Sequence, residues 1–299
     1  MNSKLNFCLK YGTRALFSFF IIFSSLNIDT KICPNATQSR KSTESRNFYS
    51  HKASGQFCYL TTVFNEYETI RPPPTLPSDW LTFYVTDDSK TAAAAMQCGW
   101  NHSISLDQNY YRSPNFRFRL TMIAIGRIWP DRLVDLSMCD YLAFTDGNVA
   151  RLDAVYHDWV KASAASGAAL SLLNGWYFGA RDSALGEELE ASIRQKRWAS
   201  DAEAMIARKT YYEAALTAHF GNSSLENVVV ISAKYIVWNL KHPQRHKVAE
   251  WIATEYSIHL QGNIILSVAA HIFPDLIWVK SYSADFPFKV ALASHAHQP

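Results

Sequence analysis

The stretch Cys139–Asp153, CDYLAFTDGNVARLD, decides the fold. Its first half, Tyr141–Thr145, is apolar and aromatic and short enough to be a buried strand. The strand ends abruptly in Asp146-Gly147-Asn148, where Gly147 lets the backbone turn in ways a side chain would resist. An acid at the carboxyl end of a core strand is where open α/β sheets place ligand chemistry. A strand followed by an ordinary Asp-Gly turn has the same appearance, so the flanking sequence must separate the two readings.

Working outward, the pattern repeats on both sides. Phe57–Phe64, FCYLTTVF, is a second strand, rich in aromatic and β-branched residues. The segment after it, NEYETIRPPPTLPSDW, carries Pro72, Pro73, Pro74 and Pro77, which exclude helix and central strand. Trp80–Thr86 reads as a strand ending in Asp87-Asp88. That pair can accept hydrogen bonds from a ribose or base, bind a cation, or simply face solvent in a turn. Gly99–Leu106 is a further strand. Ser113-Pro114 has the form of an N-cap with proline at the first helical position, opening a helix to about Ile128. Arg117 and Arg119 lie in its first turns, where arginine can hold phosphate with two bonds.

Downstream, Ala168–Leu173 is a strand, and Arg181–Phe220 is helical, with Asp182 as a cap and a capping box at Ser200–Glu203. Asn227–Ser232 and Tyr235–Trp238 are β-rich and precede the polar break Asn239-Leu240-Lys241-His242-Pro243. Gln244–Tyr256 and Gln261–Phe273 are helices, Leu276–Val279 is a late strand, and the tail from Ser281 has no clear pattern. Ala92–Ala95 is only a short alanine run on this reading. Strands alternating with helices predict an α/β class with a mainly parallel central sheet flanked by helices.

With 299 residues, 48% of them hydrophobic, the chain can bury a large core. A net charge of +3 argues against a broad nucleic-acid footprint. There is no G-x-S-x-G, no P-loop and no G-x-G-x-x-G, which sets aside a serine hydrolase and the common nucleotide loops. At the N-terminus, Lys4, Lys10 and Arg14 precede the apolar run Ala15–Ile28, shorter than the about 20 residues of a standard spanning helix. A basic flank before such a run predicts a signal peptide or a signal anchor, so membrane attachment depends on whether it is cleaved. Residues 1–28 are then the targeting segment, 29–56 a flexible lumenal stem, and 57–299 the folded domain. In an oxidising lumen Cys33, Cys58, Cys98 and Cys139 can pair, in combinations the sequence leaves open. Sequons stand at Asn35, Asn101 and Asn222.

The ordered set YLTTVFNEYETIRPPP, DWLTFYVTDD, SPNFRFR, DYLAFTDGNV, RDSALGEELEASIRQKRW with DAEAMIARKTYY, and the segment from Trp251 to Ser267 resembles the plant TOD/mucilage-related glycosyltransferase-like domain. The resemblance runs over roughly Phe57–Val279. It implies a GT-A-like nucleotide-diphospho-sugar transferase fold and a glycosyltransferase of the secretory pathway. That would be a single-pass type II Golgi protein, or a secreted one, moving a sugar from a nucleotide-sugar donor to a glycan or glycoprotein acceptor. Two departures stand out. The Arg-Asp-Gln triplet common near the family's C-terminal end corresponds to Gln261-Gly262-Asn263, without a carboxylate. A short basic mid-chain stretch is replaced by Trp129-Pro130-Asp131-Arg132.

Departure of a nucleoside diphosphate needs positive charge, from Mn²⁺ or Mg²⁺ or from basic side chains. On this reading Asp146 is the metal ligand and Asn148 a neutral oxygen donor. Asp87 and Asp88 contact the nucleoside or the metal, Arg117 and Arg119 neutralise phosphate, and Lys241 or His242 meets the diphosphate. Asp182 and Glu187 are the candidates for the acceptor base. The alternative is a lumenal or secreted carbohydrate-binding protein that keeps the fold without catalysis.

Overall fold

Alternation along each strand assigns its side chains to the two faces of one sheet. In β1 (Phe57–Val63), Cys58 and Leu60 face one core while Phe57, Tyr59 and Val63 face another. The same division runs through β4 (Tyr141–Thr145), where Leu142 and Phe144 belong to the first core and Ala143 to the second. The structure is a computed structural model that describes residues 55–64, 69–106, 123–147, 149–151, 154–174, 185–194, 202–220, 225, 228, 230–259, 261–280 and 291–292.

In chain order the remaining elements are β2 (Leu81–Thr86), α1 (Ser89–Gln97), β3 (His102–Ser105), β5 (Val149–Arg151), α2 (Ala154–Ala165), β6 (Leu170–Asn174), α3 (Leu185–Arg194), α4 (Ala202–Phe220), β7 (Ile231–Asn239), α5 (Arg245–Ile258), α6 (Gly262–Ile272), β8 (Ile277–Lys280) and β9 (Ala291–Leu292). A further helical segment covers residues 123–128. Seven strands form the main sheet in the order β3-β2-β1-β4-β7-β6-β8, and β5 pairs with β9 separately. Six of the seven point the same way. Only β7 is reversed, antiparallel to both β4 and β6. The fold is therefore mixed α/β with a mainly parallel sheet flanked by helices.

One core packs the sheet against residues 123–128, α5 and α6 through Ala124, Ile128, Val248, Ile252, Ile265 and Ala269. The opposite core packs it against α1 and α2 through Ala95, Tyr156, Trp159 and Val160. A satellite core joins α3, α4 and α6 through Leu189, Met205, Tyr212, Leu216, Ile264 and Val268.

Two helices depart from the sequence expectation. The alanine run forms the body of α1, started by Asp88, whose Oδ2 accepts from the Thr91 amide at 2.6 Å. Alanine is the strongest helix former, so four in a row behind an N-cap make a helix rather than a featureless run. Helix α2 was not anticipated, although Tyr156, Trp159, Val160, Ser163 and Ala164 are buried at helical spacing. Of the two β-rich runs expected at Asn227–Ser232 and Tyr235–Trp238, Ile231 and Ser232 of the first join the second in a single strand, β7, whose pairing with β6 is irregular between Leu172 and Leu173.

Cys58 and Cys139 form a disulfide between β1 and the residue ahead of β4, with Cα atoms 5.9 Å apart. Cys98 is also disulfide-bonded. The apolar run Ala15–Ile28 and the stem lie outside the described residues. Among the described residues no helix is long and apolar enough to cross a membrane.

Candidate functional site

The chain leaves β1 for β2 and β3 on one side, then returns to place β4 on the other. That reversal puts a topological switch point at the carboxyl ends of β1 and β4, the position where open α/β sheets bind ligands in the crevice between the strand ends. Asp146 is the first residue beyond β4 in this crevice.

Hydroxyl groups fix the end of β4. Thr61 Oγ1 donates to the Thr145 carbonyl at 3.0 Å, and the Tyr59 hydroxyl hydrogen-bonds Thr145 Oγ1. Tyr59 is 1% exposed, and burial pushes its phenol well above the ordinary tyrosine range, so it remains a neutral hydrogen-bonding group. The proline-rich loop closes over the same point. Arg71 Nη1 donates to the Gly147 carbonyl at 3.1 Å, and the Arg71 carbonyl accepts from Trp100 Nε1 at 2.7 Å. Tyr59, Thr61, Arg71, Tyr84, Trp100 and Gly147 line a small cleft here. Its volume of about 10 Å³ is room for one water.

From the other side comes Arg127, on the helical segment 123–128. Gly126 brings this segment against β1, because a Cβ there would overlap Thr62 Cγ2. Arg127 Nη2 lies 2.5 Å from Asp146 Oδ1, and Nη1 donates to the Tyr256 hydroxyl at 3.2 Å. The Arg127 carbonyl accepts from Trp238 Nε1 at 2.8 Å, and the guanidinium sits 5.6 Å from the centre of the Phe144 ring. The two side chains of the ion pair are 11% and 25% exposed. Burial alone would weaken the charge on Arg127, but Asp146 and then Tyr256 outweigh it and raise its pKa. Removing one member of such a pair costs about 3–5 kcal/mol when it strands a buried charge. Arg127 was not anticipated as a site residue. Its signal was a lone arginine in the apolar run MIAIGRIW, a charge that a core-facing helix keeps only with a partner.

Gly262 opens α6 directly behind this pair. A Cβ on it would overlap the Tyr256 hydroxyl and stand 3.1 Å from Arg127 Nη1. Gly262 thus borders the Asp146 site, and the space a side chain would take there is filled by Tyr256 and Arg127. Asn263 is structural, its Oδ1 accepting from the Ala233 amide at 2.9 Å.

A second buried polar network joins α4 to α5 and the residue that follows it. Arg208 binds Glu255 with two bonds of 2.6 and 3.0 Å. Tyr212 donates to Glu255 Oε2 at 2.8 Å and lies 2.6 Å from His259 Nε2. His259 Nδ1 accepts from the Gln261 amide, which leaves Nε2 to carry the proton toward Tyr212. Burial, aided by Arg208, lowers the His259 pKa to about 4.

The anticipated site residues separate into three groups. Asp146 and Asp87 stand at the carboxyl edge, Asp87 being 1% exposed at the end of β2. Asp88 is there too, with one oxygen committed to capping α1. Lys241 and His242 are at the opposite edge. Because β7 runs antiparallel, its end pairs with the start of β4, Asn239 beside Tyr141, and so these residues follow it away from Asp146. There Lys241 Nζ donates to the Ser137 carbonyl and His242 Nδ1 accepts from the Gln244 amide. The Trp129–Arg132 stretch lies near them, with Asp131 bound twice by Arg245. Glu187 is exposed on α3. Arg117, Arg119, Asn148 and Asp182 lie outside the described residues.

The described donors do not suit a divalent ion. Asp146 holds a buried guanidinium, Asp88 holds a backbone amide, and no three His, Cys, Asp or Glu residues gather closely enough for a metal among the described residues.

No protein-family model and no curated protein matches the sequence. Among solved structures, the mannosyltransferase Ktr4p from S. cerevisiae is similar at 8% identity, over 86% of this chain and 76% of that one, with a TM-score of 0.43. The apo WbbM bifunctional glycosyltransferase is similar at 6% identity, over 79% of this chain and 40% of that one, with a TM-score of 0.41.

Proposed function

We propose that this chain is a glycosyltransferase of the secretory pathway with a GT-A-like fold, taking a nucleotide-diphospho-sugar donor at the carboxyl edge of the sheet. One observation carries the reading. Segments distant in sequence converge on Asp146: Arg71 from the proline loop binds Gly147, and Arg127 binds Asp146 itself. They are also segments, or neighbours of segments, through which the sequence resembles the plant TOD/mucilage-related domain.

The chemistry follows from the charges. A departing nucleoside diphosphate is an anion, and preorganised arginines stabilise it as charge develops. In this reading Arg71 and Arg127 face the diphosphate, and Asp87 faces the nucleoside. The Trp100 and Tyr84 rings, 5.2 Å apart between centres, form the wall beyond Arg71. The acceptor is a glycan or glycoprotein. The Cys58–Cys139 disulfide is consistent with a lumenal or extracellular setting, since such bonds are rare in the reducing cytosol.

The alternative, a catalytically inactive carbohydrate-binding protein on the same fold, draws on Gly262, where the resemblance implies a carboxylate and this chain has none. Incubation with a panel of nucleotide-sugars and glycan acceptors separates the two. Release of free nucleoside diphosphate that Arg71→Ala abolishes supports transfer. Donor binding with no turnover supports the second reading.

A further inference from the structure

We infer that Arg127 is the resident cation of this site, so that diphosphate binding here is independent of a divalent metal. The inference rests on the proposed donor site and concerns what neutralises the charge within it. Asp146 is the acid at the carboxyl end of β4 that a divalent ion would need, and its Oδ1 is already bonded to Arg127 at 2.5 Å. The Arg127 side chain is 11% exposed, and its guanidinium cannot swing into solvent without leaving the space between Phe144, Tyr256 and Gly262. A metal at Asp146 would therefore sit against a fixed positive charge. Arg127 also keeps donors in reserve. Nη1 and Nη2 each make one side-chain bond, and Nε is buried without a hydrogen-bond partner. A buried N–H left unpaired is costly, and an anionic oxygen that reached it would satisfy it. Asp146 is then a positioning residue that holds the guanidinium in place, and Tyr256 holds its other prong.

The test uses the full chain with UDP, and with GDP in parallel, titrated in EDTA and again in Mn²⁺. Electron paramagnetic resonance of Mn²⁺ with the unmodified protein supplies a readout that needs no variant. The expected result is an affinity that differs by less than about twofold between EDTA and Mn²⁺. Arg127→Gln weakens the diphosphate by about tenfold or more and Arg127→Lys recovers part of the loss, while uridine and guanosine bind all forms alike. The Mn²⁺ spectrum stays that of the free ion. The inference is overturned by Mn²⁺ binding that Asp146→Asn abolishes, by a tenfold gain in nucleotide affinity on adding Mn²⁺, or by a folded Arg127→Gln protein that binds diphosphate normally. If neither nucleotide binds the unmodified protein at all, the donor-site reading fails first and this inference with it.

Discussion

Arg127 and Asp146, 19 residues apart in sequence, meet as a largely buried ion pair at the carboxyl end of the central strand β4. The pair joins the helical segment 123–128 to the strand, and through Tyr256 it extends to α5. Asp146→Asn keeps the shape of the side chain but strands the guanidinium. Chemical denaturation should show a loss of about 3 kcal/mol, the lower end for a buried pair because Asp146 remains partly exposed. A change below about 0.5 kcal/mol would place the pair among weak surface bridges instead.

Gly262 tests how tightly this corner is packed. Its missing Cβ is the space occupied by the Tyr256 hydroxyl, so Gly262→Ala must push Tyr256 off Arg127. Overpacking of this kind costs about 1–3 kcal/mol. Gly262→Asp, which forces a larger, charged side chain into the same space, should destabilise at least as much and raise no activity. A stable, more active Gly262→Asp protein would show that the corner relaxes freely.

The Cys58–Cys139 bond closes a loop across 81 residues. Loop-closure entropy assigns such a cross-link about 4.5 kcal/mol. Thermal melts of the protein with and without reductant, and of Cys139→Ala, should each show a large drop in midpoint, with mass spectrometry locating the bond in the untreated protein.

His259 makes stability fall in acid. It is buried neutral with its pKa lowered to about 4, against 6.5 for the free side chain. The unfolded chain therefore binds the proton more readily. The contribution is complete above pH 6.5, declines as pH falls, and is lost by pH 4. By linkage this amounts to about 3 kcal/mol across that interval. His259→Gln, which keeps a hydrogen-bonding side chain, should flatten the pH dependence of the melting midpoint between pH 6.5 and 4. An unchanged slope would assign the acid sensitivity to other groups.

Asn101 is exposed at the turn into β3, with Oδ1 accepting from the Thr82 amide and hydroxyl. Its amide nitrogen has no such role, so a glycan there is compatible with the fold. Expression through a secretory pathway should yield a glycosidase-sensitive mass shift that Ser103→Ala reduces.

The strands were largely legible because each is a short apolar run ended by turn residues. Tyr141–Thr145 matches its expected bounds, and Asp146 stands where the Asp-Gly turn placed it. What escaped were features whose cause is tertiary. No local pattern marks β7 as the reversed strand, and that reversal is what carries Lys241 and His242 to the far edge. The role of Arg127 is set by partners, Asp146 and Tyr256, that are 19 and 129 residues away. Helix α2, by contrast, carries a local signal in the helical spacing of its buried Tyr156, Trp159, Val160 and Ser163.

The most direct test of the account is isothermal titration of the full chain with UDP, GDP, CDP and ADP, with Arg71→Ala alongside. Saturable binding of at least one nucleoside diphosphate, weakened about tenfold or more by Arg71→Ala, is the predicted result. A folded protein that binds none of the four would contradict a donor site at the carboxyl edge of the sheet.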